Sequence, residues 1–192
     1  MKTKKLIALL LASLMVFGII FLAGCGGGGG SSEPAFEPQG ETVSSLAGTL
    51  SVLAPSVDYD MWKDIDWDIE PKENRVEMGY YRSGDSVFYV DPATTKLSGK
   101  FDTLEKLETA LEDGSYAEWL GDSEVVKVEV GEFVLYDKVK LENDPNPHEF
   151  IFIKDGKVFF IDAYCKDEDY LETYDNLLLQ VLMTVETNME QY

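Results

Sequence analysis

The sequence predicts an α+β fold, an antiparallel β-sheet with one mid-chain helix and a long C-terminal helix packed on it. Three observations carry this expectation. Alternating apolar segments recur from residue 49 to 92 and from 125 to 165. Turn signals, Ser83-Gly84-Asp85 and Asp155-Gly156, stand between such segments, where hairpins need them. Apolar residues at helical spacing mark residues 101–116 and 167–191.

The elements follow in order. "TLSVLAP", 49–55, reads as a strand stopped by Pro55. "RVEMGYYRSGDSVFYVDP", 75–92, reads as two strands around the Ser83 turn, with Pro92 ending the second. "FDTLEKLETALEDGSY" reads as a helix. Asp102 or Thr103 caps it, Glu105 and Glu108 suit its positive end, Leu104, Leu107 and Leu111 line one face, and Gly114 closes it. "VVKVEVGEFVLYDKVKLEN" alternates through Val126, Val128 and Val130, breaks at Gly131 and resumes at Phe133. "HEFIFIKDGKVFFIDAYC" is apolar on both faces, so this hairpin belongs in the middle of the sheet, covered on both sides. In the last helix Leu171, Tyr174, Leu178, Val181, Leu182 and Val185 keep helical spacing, with acids crowding the first turn.

The N-terminus is a different kind of sequence. Lys2, Lys4 and Lys5 precede an uncharged apolar run from Leu6 to Leu22, and Leu22-Ala23-Gly24-Cys25 follows. These residues resemble a bacterial lipoprotein signal. That resemblance implies cleavage between Gly24 and Cys25, diacylglycerol on the Cys25 thiol, and residence on the extracytoplasmic face of a bacterial cell membrane. Two acyl chains, at about 0.8 kcal/mol per buried CH₂, hold a protein on a bilayer stably. Residues 1–24 are therefore expected to be the signal peptide, 25–40 a Gly/Ser/Pro-rich tether, and 41–192 one domain. The roughly 16 tether residues reach about 22 Å root-mean-square.

The chain has 16 basic and 36 acidic residues. Removing the three signal lysines leaves 13 basic residues and a charge of −23. Phosphate binding needs a basic stripe, so no nucleic-acid partner is expected. A protein, peptide or glycan partner in the envelope remains open. Cys25 and Cys165 are the two cysteines. With Cys25 lipidated, Cys165 has no partner in the chain, and it alternates with Phe159, Ile161 and Ala163 as a small buried hydrophobe.

"KDIDWDIE", 63–70, holds the strongest candidate cation ligands, Asp64, Asp66 and Asp68. They match the start of a calcium loop, but Ile69 stands at its glycine position and Arg75 at its bidentate acid. A strand with Ile65, Trp67 and Ile69 inward explains more residues; a helix through Met61, Ile65 and Ile69 is the third reading. His148, the only histidine, lies in the turn-rich "NDPNPHE" and is expected on a surface loop. One histidine supports neither a multi-histidine metal site nor a Ser-His-Asp arrangement. No nucleophile elbow, P-loop or dinucleotide glycine motif is present, and no cofactor is expected. Tyr80, Tyr81, Tyr89, Trp62 and Trp67 are candidates to line a ligand cleft.

The element order, "GTLSVLAP" as an opening strand and "EFIFIKDGKVFFIDAYC" running into a final helix resemble the PsbP-like superfamily across residues 48–188. The resemblance implies a non-enzymatic binding or assembly domain and transfers no site residue. The expected function is thus a membrane-anchored, non-catalytic binding or assembly module. The alternatives are a carboxylate-based envelope hydrolase and a cation-binding lipoprotein.

Overall fold

A computed structural model describes residues 36–94, 103–115, 123–139 and 148–189. The lipidation and cleavage residues Gly24 and Cys25 and the signal segment lie outside the described residues. The chain divides into two units, Met1–Phe36 and Glu37–Tyr192, and every described element belongs to the second.

The elements are β1 (Glu41–Ser44), β2 (Leu50–Ala54), β3 (Asp68–Pro71), β4 (Val76–Arg82), β5 (Asp85–Ala93), α1 (Leu104–Glu112), β6 (Glu124–Val130), β7 (Phe133–Val139), β8 (His148–Lys154), β9 (Lys157–Cys165), α2 (Leu171–Thr184) and β10 (Glu186–Thr187). A short 3₁₀ turn, Glu168–Tyr170, leads into α2. The α+β class is as the sequence predicts, with every described strand pair antiparallel. The large sheet runs β3-β4-β5-β9-β8-β7-β6, and β1-β2-β10 form a small second sheet.

Local chemistry explains the clearest elements. Ser83-Gly84 and Asp155-Gly156 both have positive φ at each position, the conformation that lets a two-residue turn follow the twist of its strands. Thr103 caps α1 by accepting from the Lys106 amide, and Gly114 follows its end with φ +77°. The β8–β9 hairpin is central, with Phe150, Ile151, Phe152, Val158, Phe159 and Ile161 all buried.

Period-two alternation divides the large sheet into two faces. One carries Met78, Phe88, Val90, Leu135, Phe150, Phe152, Phe159, Ile161 and Ala163, all buried, beneath α2 and β2. The other carries α1 at one end, where Leu107 and Ala110 pack on Tyr136, Ile151 and Val158, with Val125, Val134, Ile153 and Phe160 around them. We call these the α2 face and the α1 face.

Several expectations need correction. Pro92 does not end its strand; β5 continues to Ala93, and Pro92 pairs with Ile161. Pro92, which has no N–H, interrupts the β4–β5 ladder between Met78↔Val90 and the Arg75↔Ala93 bridge, while its other edge stays paired with β9. Val126 is 42% exposed, because β6 is the sheet's edge and its outer end lies beyond the core. The last helix stops at Thr184, and Val185 is extended though buried. Lys154 Nζ donates to the carbonyls of Met183 (2.6 Å) and Val185 (3.0 Å), satisfying acceptors that a helix end leaves open. Burial holds the Lys154 ammonium below the usual lysine range.

The end of the expected tether belongs to the folded unit. Gln180, fully buried in α2, accepts from the Gln39 amide (2.9 Å) and donates to Leu53 O (2.7 Å). A Cβ on Gly40 would lie 2.0 Å from Ala54 O, so only glycine permits this approach.

Candidate functional site

The aspartates of residues 64–68 do not lie on one strand. Residues 57–65 make successive turns, with Tyr59, Trp62 and Ile65 amides donating to Ser56, Tyr59 and Trp62 carbonyls. Extended pairing starts only at Asp68, opposite Gly79. Burial still alternates, with Asp64, Asp66 and Asp68 exposed, Ile65 buried, and Trp67 and Ile69 half-buried. The organising residue is Trp62, fully buried, which donates to Gln39 O and accepts from Trp67 Nε1 through its carbonyl (3.1 Å). Turns around this tryptophan displace both the strand from Asp64 and the helix. Among the described residues, no three His, Cys, Asp or Glu side chains gather in a way that could hold a metal ion.

His148 is not on a loop. It opens β8 opposite Ala163, half-exposed, with Nδ1 2.7 Å from Oδ2 of buried Asp137 and its ring stacked on Phe150 at 5.3 Å. Cys165 is half-buried; burial pushes its thiol up to about 11, and Sγ donates to Asp167 O at 3.4 Å. A thiol so held is protonated at neutral pH and is no nucleophile.

The five aromatic candidates separate. Trp62, Trp67 and Tyr80 join Phe88 and Tyr170 in a chain of ring contacts 5.4–6.2 Å apart, beside Arg82, whose guanidinium lies over Tyr80 and Tyr170. Tyr89 is on the opposite, α1 face, as register dictates; Tyr81, just past the bulge, reaches Glu77 on that same side.

That α1 face holds the most unusual chemistry. Asp91 on β5 lies opposite Asp162 on β9, and Asp162 lies opposite Glu149 on β8. On β4, Glu77 continues the row, and on β7 Lys138 ends it, 2.7 Å from Glu149. On β3, Glu70 lies opposite Glu77, so five carboxylates cross five adjacent strands. Tyr89 and Tyr164 pair beside the row at 6.0 Å, and Tyr81 donates to Glu77.

The carboxylates differ in environment. Asp91 is 4% exposed. Its Oδ2 meets Arg75 Nη1 at 3.0 Å, while its buried Oδ1 has no hydrogen-bond partner. Burial pushes Asp91 up to about 7; Arg75 opposes this, and Glu77 and Asp162 add to it. Asp162 is raised too, first by burial and then by Glu149. Burial and the neighbouring carboxylates of Asp162 and Asp91 raise Tyr89 to about 12. Asp162, Glu149, Tyr89 and Tyr164 are half-buried, so their edges are open to contact.

Sequence reasoning missed this row because each acid stands alone in its own strand. The available signal was an acid inside an apolar run, as in "FYVDPA" and "FFIDAYC". No family model matches the chain, and no curated protein matches it. Among solved structures, it is similar to the solution structure of cyanobacterial PsbP (CyanoP) from Synechocystis sp. PCC 6803, at 13% identity over 82% of this chain and 98% of that one, with a TM-score of 0.38.

Proposed function

We propose that this protein is a lipid-anchored, extracytoplasmic module that binds or assembles with a protein, peptide or glycan partner and performs no catalysis. Lipid on Cys25 holds it at a bacterial cell membrane, and the tether lets the domain turn above that surface. The observation that carries the binding role is the half-open end of the α1 face, where Tyr89 and Tyr164 stand beside Asp162 and Glu149. Tyrosine gives contact area at low entropic cost, and the carboxylates favour a cationic or hydrogen-bond-donating partner.

Two experiments test this reading. A photo-crosslinking residue at Tyr164, and separately at Tyr89, should capture the same partner in intact cells. The same probe at exposed Val57 should not. No reproducible product from either tyrosine position defeats the binding role. Intact mass should show a chain starting at Cys25 plus lipid, and Cys25→Ser should remain unprocessed. A mature N-terminus elsewhere, without lipid, defeats the anchor.

The carboxylate row also favours a second reading, a hydrolase of envelope glycans with Asp162 and Glu149 as its pair. The carboxyl best poised to hold a proton is Asp91, and at 4% exposure it does not reach a substrate. Loss of a measured glycan hydrolysis in both Asp162→Asn and Glu149→Gln would establish the hydrolase over the binding module.

A further inference from the structure

We propose that Glu77, Asp91, Asp162 and Glu149 act as one proton-holding row that couples the pairing of β4, β5, β9 and β8 to the surrounding pH. The argument rests on register and composition, independently of any partner. Like charges directly opposite on neighbouring strands destabilise a sheet. Here two such pairs share one residue, since Asp162 faces Asp91 on one side and Glu149 on the other.

The groups around the row are few among the described residues. Glu70 stands opposite Glu77 on β3, Lys72 and Arg75 approach from the β3–β4 connection, Lys138 from β7, Tyr81 from β4, Tyr89 from β5 and Tyr164 from β9; Asp68 acts on Tyr81. Of the three cations, Lys72 is also paired with Glu70 on β3, and Arg75 reaches Asp91 through one oxygen only. Asp91 is thus a buried acid with a carboxylate at hand on each side and one oxygen without a donor. A proton on Asp91 removes its repulsion with both neighbours.

The direction follows from linkage. Asp91 holds its proton to about pH 7 in the folded chain and to about pH 4 unfolded. The folded state therefore binds more protons between these values, and stability falls as pH rises through them, levelling above pH 8. Most carboxylate-rich proteins do the reverse, losing stability as acid protonates paired groups.

Melting curves of the full protein in non-ionic detergent, from pH 5.5 to 8.5, test the row. Histidine ordinarily titrates in this window, and burial pushes Asp175 on α2 up to about 6, so the series is run in a His148→Gln, Asp175→Asn background. The melting temperature should fall by roughly 4–8 °C across the range. Asp91→Asn should abolish most of that slope. Changing Asp64 and Asp66 together to Asn removes two exposed charges and should leave the slope in place. A melting temperature flat with pH, or a slope unchanged by Asp91→Asn, overturns the proposal. Should Asp91→Asn not fold, carboxyl-carbon NMR on the unaltered chain decides. A row carboxyl titrating near 7 supports the row, and midpoints all below 5 refute it.

Discussion

Strands β7, β8 and β9 each present two kinds of residue to the same face. At one end Tyr136, Ile151 and Val158 lie buried under α1. Two residues along on β7 and β8, and four along on β9, the same strands offer Lys138, Glu149 and Asp162. Nothing in backbone geometry separates the two ends. What differs is the covering. A helix with an apolar stripe removes Leu107 and Ala110 from water along with the strand residues, at about 25 cal/mol per Å². The carboxylate end is half-covered, so its acids lose part of their hydration and recover only part through Arg75 and Lys138. One end is built for stability, and the other keeps chemical tension that a proton or a partner relieves.

The largest expected effect breaks the stable end. Ile151→Ala should lower unfolding free energy by about 2–5 kcal/mol, because Ile151 is fully buried between α1 and the strands beside it. The loss should be similar at pH 5.5 and 8.5. Urea unfolding measures it, and a loss below about 1 kcal/mol would mean that α1 does not cover this end.

The carboxylate end should respond with opposite sign. Asp91→Asn at pH 8.5 should stabilise the chain by about 1–3 kcal/mol, since a neutral isostere removes the penalty on the buried ionised form. Below pH 4, where wild-type Asp91 is protonated in both states, the variant should be nearly neutral. Destabilisation at pH 8.5 would show that the Arg75–Asp91 pair outweighs the repulsion of Glu77 and Asp162.

The contrast also explains what was legible in the sequence. The β8–β9 hairpin and α1 were readable because their signals are local: an Asp-Gly turn between apolar runs, and a Thr103 cap before spaced leucines. The strands β1 and β10 were not read. They are short and polar, and they exist because each pairs with β2, whose partner Glu186 is 135 positions from Ser51. The carboxylate row failed to show for the same reason. Asp91 meets Asp162 only through the β5–β9 register, which no hairpin turn sets. His148 was misplaced because "NDPNP" reads as turn right up to it, whereas pairing with Ala163 and the Asp137 contact draw it into β8.

A third substitution tests how the chain is fastened where the tether enters. Gln180→Leu should cost about 1–3 kcal/mol, by leaving the Gln39 amide and Leu53 carbonyl without their partner inside an otherwise apolar layer. Hydrogen exchange should quicken at Gln39 and in β1 before it does in β8 or β9. Uniform acceleration over the whole sheet would contradict a local fastening.

The smallest effect belongs to the exposed acids, and it sharpens the comparison by supplying carboxylates without burial. Asp64, Asp66 and Asp68 lie on turns and at a strand start, each in solvent, and Ile69 and Arg75 break the calcium-loop pattern they begin. Calcium should therefore stabilise the chain only as any salt does, by screening its net negative charge. Screening is gradual, and sodium chloride at matched ionic strength reproduces it. A specific site saturates, prefers calcium to magnesium and raises stability as RT ln(1 + [L]/Kd). Melting curves against calcium at fixed ionic strength should be flat, and the triple change to Asn should shift stability by less than about 0.5 kcal/mol. Saturable stabilisation that disappears in the triple variant would move the functional centre from the buried row to "DIDWDIE", and the two acidic regions would exchange roles.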